Sequence, residues 1–419
     1  MARRFTLIIL VAMLLGIAVG EACRSAIDDP QRLAQLAGYL SLVTDLFLRL
    51  IKMIIAPLVL TTLIVGIAHM GEPATLGRVG VRTLGWFIFA SVLSLLLGIV
   101  MVTALQPGAS LGLPLPEANA AAPVGGAAIN LKDFVTHLVP KSLIEAMANN
   151  EILQIVVFSA FFGAALAALG ERGRPLHEFI ELVAQVMLKV TGYVMLAAPL
   201  AVFAAIGATV MKHGLGILAT YGKFVAGFYL ALLLLWLLLV LLGALVIGRR
   251  IFGLVQAVRE PVLLAFSTAS SEAAYPKTLE RLETFGVSKR IASFVLPLGY
   301  SFNLDGSMMY CTFATIFIAQ AYGIDLSWTQ KITMLLLLMV TSKGMAGVPR
   351  ASLVVIAATL VQFNIPEAGL LLVLAVDQFL DMGRSATNVV GNAVASTLVA
   401  KWENELRDPA PGEAAAPVS

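Results

Sequence analysis

Three aspartates, one arginine, one glutamate and one lysine stand in or beside runs that are otherwise apolar, and they set the chemistry open to this chain. VDQFLDMGRSATNVVGN (376 to 392) carries Asp377, Asp381, Arg384, Ser385, Asn388 and Asn392, mostly three or four residues apart, which gathers them on one helix face. LGYSFNLDGSMMY (298 to 310) sets Gly299, Ser301, Asn303, Asp305, Gly306 and Ser307 in mid-span, with two glycines where a helix is expected to break. STASSEAAYPK (267 to 277) holds Ser271 and Glu272, and TSKGMAGVPR (341 to 350) holds Ser342, Lys343 and Val348. A charged side chain at a membrane-helix centre costs roughly 2.5–3.5 kcal/mol, so Asp305, Asp381 and Arg384 read as functional. Single Asn and Ser side chains often only join helices, and Asp377 is either a structural partner or an ion ligand. Paired carboxylates also raise the reading of an intramembrane aspartyl protease. Its two acids must share a proton, which Arg384 one turn from Asp381 opposes, and HExxH does not occur.

The elements that position these groups are membrane helices. Charged residues are 13% of the 419, against ~25% in ordinary soluble domains, and 59% are hydrophobic. Mean hydropathy is +0.92. Runs long enough to cross a bilayer lie at 5 to 20, 39 to 69 in two kinked pieces, 83 to 106, 152 to 170, 179 to 210, 223 to 248, 291 to 319 and 368 to 400. No soluble domain is left over. The N-terminal run imitates a signal peptide, down to Cys23, but the seven spans after it favour an uncleaved helix over cleavage or lipidation. Arginine pairs at 3 and 4, 78 and 82, 172 and 174, and 249 and 250 alternate with segments lacking them, predicting both termini in the cytoplasm. Cys23 and Cys311 suggest neither disulfide nor metal site, and a net charge of +3 does not imply nucleic acid. Residues 107 to 130 read as an external loop and 407 to 419 as a disordered tail.

Two regions break the spanning pattern alike. A short run (251 to 266), interrupted by Arg259, Glu260 and Pro261, leads to a polar tip and a return segment; KITMLLLLMV (331 to 340) does the same. Both read as re-entrant hairpins, about 251 to 288 and 329 to 365. AAYPK (273 to 277) aligns with AGVPR (346 to 350) at the two tips, and each hairpin precedes a polar-striped helix. Such pairing points to inverted repeats around a midplane site.

NLDG, the SKGMAGVP hairpin and DMGRSATNVVGN resemble the glutamate transporter family of dicarboxylate and amino acid:cation symporters, over nearly the whole chain and most strongly from 260 to 400. The resemblance implies an all-α, elevator-type homotrimer of the cytoplasmic (inner) membrane, each protomer with eight transmembrane helices and two hairpins. Residues 1 to 70 and 131 to 212 would form the scaffold, 79 to 106 and 216 to 400 the transport domain. By the same resemblance Arg384 holds the substrate's side-chain carboxylate and Asp381 its amino group. Ser385 stands where many members have threonine, while Asn388, Ser307 and backbone at Ser271 and Val348 complete the site. A cation and an anion one turn apart suit aspartate or glutamate better than a C4-dicarboxylate, which would leave Asp381 unpaired.

The coupling ion is where this chain departs from sodium-driven members. They have an acid at Asn392; Lys343 enters a second ion segment; Phe87 and Ala90 replace two hydroxyls of a third, leaving Ser91. Gly299, Ser301, Asn303, Asp305, Ser342, Asp377, Asn388 and Asn392 remain as residual cation-site positions. Glu272, in the SerSerGlu pattern of proton-driven carriers, is the expected proton carrier, since partial dehydration makes a carboxylate easier to protonate. Ala269 and Met382 stand where other members carry an arginine, and Lys343 is expected to replace that charge and pair with Glu272 across the tips. The plainer reading leaves Glu272 solvated.

Overall fold

The computed structural model describes residues 2–68, 73–109, 136, 139–214, 221–341, 351–374 and 376–407. Most of the 107 to 130 loop, the tail from 408 and the second tip, with Ser342, Lys343 and Val348, therefore lie outside the described residues.

Those residues form helices and no strand; one isolated bridge joins Val287 and Leu406. The helices are α1 (Ala2–Ala26), α2 (Pro30–Ala68), α3 (Pro73–Leu105), α4 (Leu143–Ala148), α5 (Ile152–Ala168), α6 (Arg174–Met195), α7 (Ala198–His213) and α8 (Gly222–Ile247). They continue as α9 (Arg250–Thr268), α10 (Ser271–Phe285), α11 (Lys289–Phe302), α12 (Asp305–Ala321), α13 (Trp328–Thr341), α14 (Ala351–Gln362), α15 (Leu370–Leu374) and α16 (Asp377–Trp402). Leucine-rich α8, 26 residues long, reaches about 39 Å, enough for a ~30 Å hydrocarbon layer. Gly248 ends it at φ +60°, a conformation that favours glycine.

Several boundaries differ from the sequence reading. The 39 to 69 pieces are one helix: Pro57 lies inside α2, and Thr61 Oγ1 donates to the Pro57 carbonyl at 2.8 Å. The 179 to 210 span is instead α6 and α7, bent by 51° where Pro199 enters the first turn of α7. Pro261 does not interrupt α9, which at 19 residues is long and apolar enough to cross a membrane by composition. The chain reverses at Ala269 (φ +49°) and Ser270, whose Oγ accepts from the Ala273 amide at 3.2 Å and caps α10. AAYPK is thus the opening of α10 and not the tip.

Packing runs in two groups. Helices α1, α2, α5, α6 and α7 pack on one another; α3 and α8 to α12 surround α16, and α13 to α15 pack on α3, α12 and one another. The groups meet where α2 and α5 touch α11, α2 touches α10, and α1 and α7 touch α9. Buried from Met382 to Ala400, α16 is the axis of the second group.

Candidate functional site

The site grows from the breaks in two helices. α11 ends at Asn303 (φ −123°, ψ 59°) and α12 restarts at Asp305, so the two glycines flank the break and do not make it. Their work is close approach: a Cβ on Gly306 would lie 2.5 Å from the Arg384 carbonyl, and one on Gly299 would lie 2.2 Å from Asn392 Oδ1. The exposed amides of the new helix need acceptors. Asn388 on α16 supplies one, its Oδ1 taking the Gly306 amide at 2.9 Å and the Ser307 amide at 3.4 Å. Its Nδ2 donates to Ser307 Oγ at 3.2 Å.

Beside this seam lies a buried arginine. Arg384 is 2% exposed; its Nη2 is 2.7 Å from Asp381 Oδ1 and 3.7 Å from Asp377 Oδ1. Its guanidinium lies over the Tyr310 ring at 4.2 Å, and the Tyr310 hydroxyl donates to Asp377 at 2.8 Å. Asp377 is thereby engaged with Tyr310 and Arg384. Nε and Nη1 of Arg384 are buried with no hydrogen-bond partner among the described residues. A buried donor left unmatched is costly, so this geometry calls for an acceptor. Asp381, at 23% side-chain exposure, is the more open member of the pair, and Ser385 is buried next to it on α16.

A second cluster sits around Asp305, which is fully buried. Its carboxylate accepts from Ser94 Oγ at 3.2 Å and from Asn303 Nδ2 at 3.0 Å, and the same amide donates to Asn392 Oδ1 at 3.2 Å. Gly391 makes room: a Cβ there would lie 1.9 Å from Asp305 Oδ2. Asn303 Oδ1, Ser301 Oγ and Asn392 Nδ2 are buried without partners among the described residues. Of the residual cation positions, Gly299, Asn303, Asp305 and Asn392 meet here, whereas Asn388 is engaged as a helix cap. No cluster of three or more His, Cys, Asp or Glu that could hold a metal occurs among the described residues.

Glu272 stands in the first turn of α10, and Ser271 opens that helix. Glu272 lines a small cavity with Tyr275 of α10, Pro297 and Tyr300 of α11, and Ile55 and Val59 of α2. The same hairpin is pinned from within, since Glu260 of α9 is paired with Arg281 and, at 3.5 Å, with Lys277 of α10.

Sequence reasoning missed several of these groups. Ser94 lies one helical turn beyond Phe87, Ala90 and Ser91, and Tyr310 stands in a mostly apolar run with Phe313 and Phe317. Only its place one turn after Ser307 on a polar-striped helix could have marked it.

A sequence profile of the sodium:dicarboxylate symporter family matches residues 5–402. The chain is 40% identical over 406 residues to a proton/sodium-glutamate symport protein of Bacillus caldotenax, covering 96% of this chain and 94% of the relative. It is likewise 40% identical over 406 residues to the proton/glutamate-aspartate symporter of Escherichia coli strain K12, covering 95% and 92%. A C4-dicarboxylate transport protein of Rhizobium johnstonii is 40% identical over 369 residues, covering 86% and 83%.

Proposed function

We propose, from the premise that this chain belongs to the sodium:dicarboxylate symporter family, that it takes up aspartate or glutamate together with protons across the cytoplasmic membrane by alternating access. It is a transporter and not an enzyme; Asp305 and Asp381 also sit in separate hydrogen-bond clusters, which removes the shared-proton pair a protease would need. Identity to relatives does not by itself choose the substrate, because a C4-dicarboxylate carrier also matches at 40% identity, over 369 residues against 406. The observation that carries the choice is the buried Arg384–Asp381 pair. The two unmatched guanidinium donors suit a carboxylate, and Asp381 suits an ammonium that a dicarboxylate lacks. Asn388, Ser307, Ser385 and the Ser271 and Val348 backbone complete this reading of the site.

The division of packing supports an elevator in which α3 and α8 to α16 move against α1, α2, and α4 to α7, in a homotrimer with eight spans and two hairpins per protomer. Arg78 and Arg82 meet the end of α16 at the face assigned to the cytoplasm, in keeping with a C-terminus on that side. Protons are favoured by Glu272 and by the amide at Asn392. Sodium is the second reading, favoured by the unmatched Asn303 Oδ1 beside Asp305. In proteoliposomes an inward proton gradient without sodium is expected to drive aspartate accumulation, and an inward sodium gradient at matched pH is not. Glu272→Gln is expected to lose the proton-driven accumulation while exchange of internal for external aspartate continues. Accumulation driven by sodium alone overturns the reading.

A further inference from the structure

A charged contact bridges the two helix groups at the start of α11. Lys289 Nζ lies 3.4 Å from Glu181 Oε1 of α6, with the two side chains 32% and 35% exposed. Glu403, Glu405, Glu260 and Arg384, by contrast, find the ion partners described above inside the second group. The bridge stands at a tight crossing. Ile180, next to Glu181, packs on Ile64 and Val65 of α2, and a Cβ on the adjoining Gly66 would lie 3.3 Å from the Arg290 carbonyl oxygen and 3.6 Å from Ser293 Cβ. Acting on the same lysine from its own side of the seam is Glu283, near the end of α10. Its Oε1 is buried with no hydrogen-bond partner among the described residues. Glu280, the other charge acting on Glu283, is negative and is itself paired with Lys277, while Arg290 is held by Glu405. Lys289 is therefore the cation open to both carboxylates, one in each helix group.

We propose that Lys289 exchanges partners during transport, bonded to Glu181 in the arrangement seen in this structure and to Glu283 once the second helix group moves along the first. The inference rests on the elevator reading above and deepens it. Motion at this seam must break the bridge to Glu181, because its two ends belong to different groups. Glu283 belongs to the group that carries Lys289, so it travels with the lysine and stays available throughout. A buried oxygen without a partner is costly, and a charged donor is the stronger remedy for it. What is lost at Glu181 is thus offset at Glu283. The lysine's flexible four-carbon stem allows the exchange by side-chain rotation alone. No residue of the Arg384 cradle takes part, so the exchange acts on the balance between arrangements and leaves the substrate contacts as they are.

Gly66→Cys with Ser293→Cys, in a chain carrying Cys23→Ser and Cys311→Ser, sets two Cβ atoms at disulfide distance across the seam, so the rate of oxidative crosslinking reports the arrangement seen here. Glu181→Gln in this background should slow crosslinking by about two- to threefold, the effect of losing a partly exposed pair. Adding Glu283→Gln should return the rate toward that of the parent, because the alternative arrangement then loses its bond as well. Lys289→Gln alone removes both bonds and should stay near the parent rate. A plain bridge without exchange gives the opposite pattern, with Lys289→Gln as slow as Glu181→Gln and no recovery on adding Glu283→Gln; that result, or no slowing in Glu181→Gln, overturns the exchange. Uptake of labelled aspartate by the fully crosslinked protein tests the motion separately. Blocked uptake is expected, and then failure of the charge variants counts against the exchange alone; uptake at the uncrosslinked rate overturns the elevator reading and the exchange with it.

Discussion

At Arg384 one guanidinium meets Asp381, Asp377 and the face of Tyr310 while two of its nitrogens stay unmatched. The three contacts fix the orientation of the side chain, so the free donors are presented in one geometry. Arg384→Ala removes that anchor and leaves Asp377 buried beside Tyr310; loss of a buried charge partner costs about 2–5 kcal/mol, and aspartate affinity should fall by roughly a hundredfold. Equilibrium binding of labelled aspartate checks it. On the proposed reading, Asp381→Asn separates the two substrate classes, because the lost carboxylate would partner an ammonium and nothing in fumarate. Aspartate uptake should fall well beyond fumarate uptake, and equal losses would deny Asp381 its role as reader of the amino group.

The working elements are helices that stop, turn and restart where polar side chains can meet their ends. Asn388 caps α12 from another helix, Ser270 caps α10 from within the turn, and Ala269 adopts a left-handed conformation to make that turn possible. A non-glycine residue in that conformation costs roughly 1–2 kcal/mol and persists where its surroundings impose it. Glycines act in the opposite sense, by admitting atoms that a Cβ would displace. Gly391→Ala would drive a methyl group into Asp305 Oδ2, and overpacking of this kind costs about 1–3 kcal/mol. Gly85→Ala on α3 meets nothing within 4 Å. In detergent melts Gly391→Ala should lower the transition temperature by several degrees, roughly, and Gly85→Ala should leave it near wild type.

Across the whole molecule the segment after α16 ties distant ends of the second helix group together. Glu403, its side chain only 2% exposed, takes Arg78 at 3.0 Å and Arg82 at 2.9 Å from α3. Glu405 pairs with Arg290 at the start of α11, and the Arg407 amide donates to the Gly286 carbonyl at 2.9 Å. Both arginines on Glu403 are partly exposed, so the loss in Glu403→Gln is softened by solvent to about 1–2 kcal/mol. A fall of ~2–4 °C in melting temperature, with aspartate affinity unchanged, is the expected result. An unchanged melt would make this clasp a surface contact without weight.

The sequence by itself determined that the chain is a helical membrane protein, because low charge and long apolar runs leave no other way to satisfy its backbone in a bilayer. It also singled out Asp305, Asp381 and Arg384, which are costly in such spans, as the side chains to weigh for function. Periodicity along α16 showed that Asp377, Asp381, Arg384, Asn388 and Asn392 share a face, but not what each one meets. Only the tertiary structure decided that Asp377 serves Tyr310 and Arg384, that Asn388 caps α12, and that Ser94 reaches Asp305. These are contacts between residues 67, 82 and 211 positions apart, and no local pattern encodes them. The same holds for Glu272: its neighbours in sequence suggest a polar tip, and helix packing adds a small cavity that it lines with Tyr275, Tyr300 and residues of α2. Local propensity chooses the helices; the partners come from how those helices pack, which depends on side chains tens to hundreds of residues apart meeting in space.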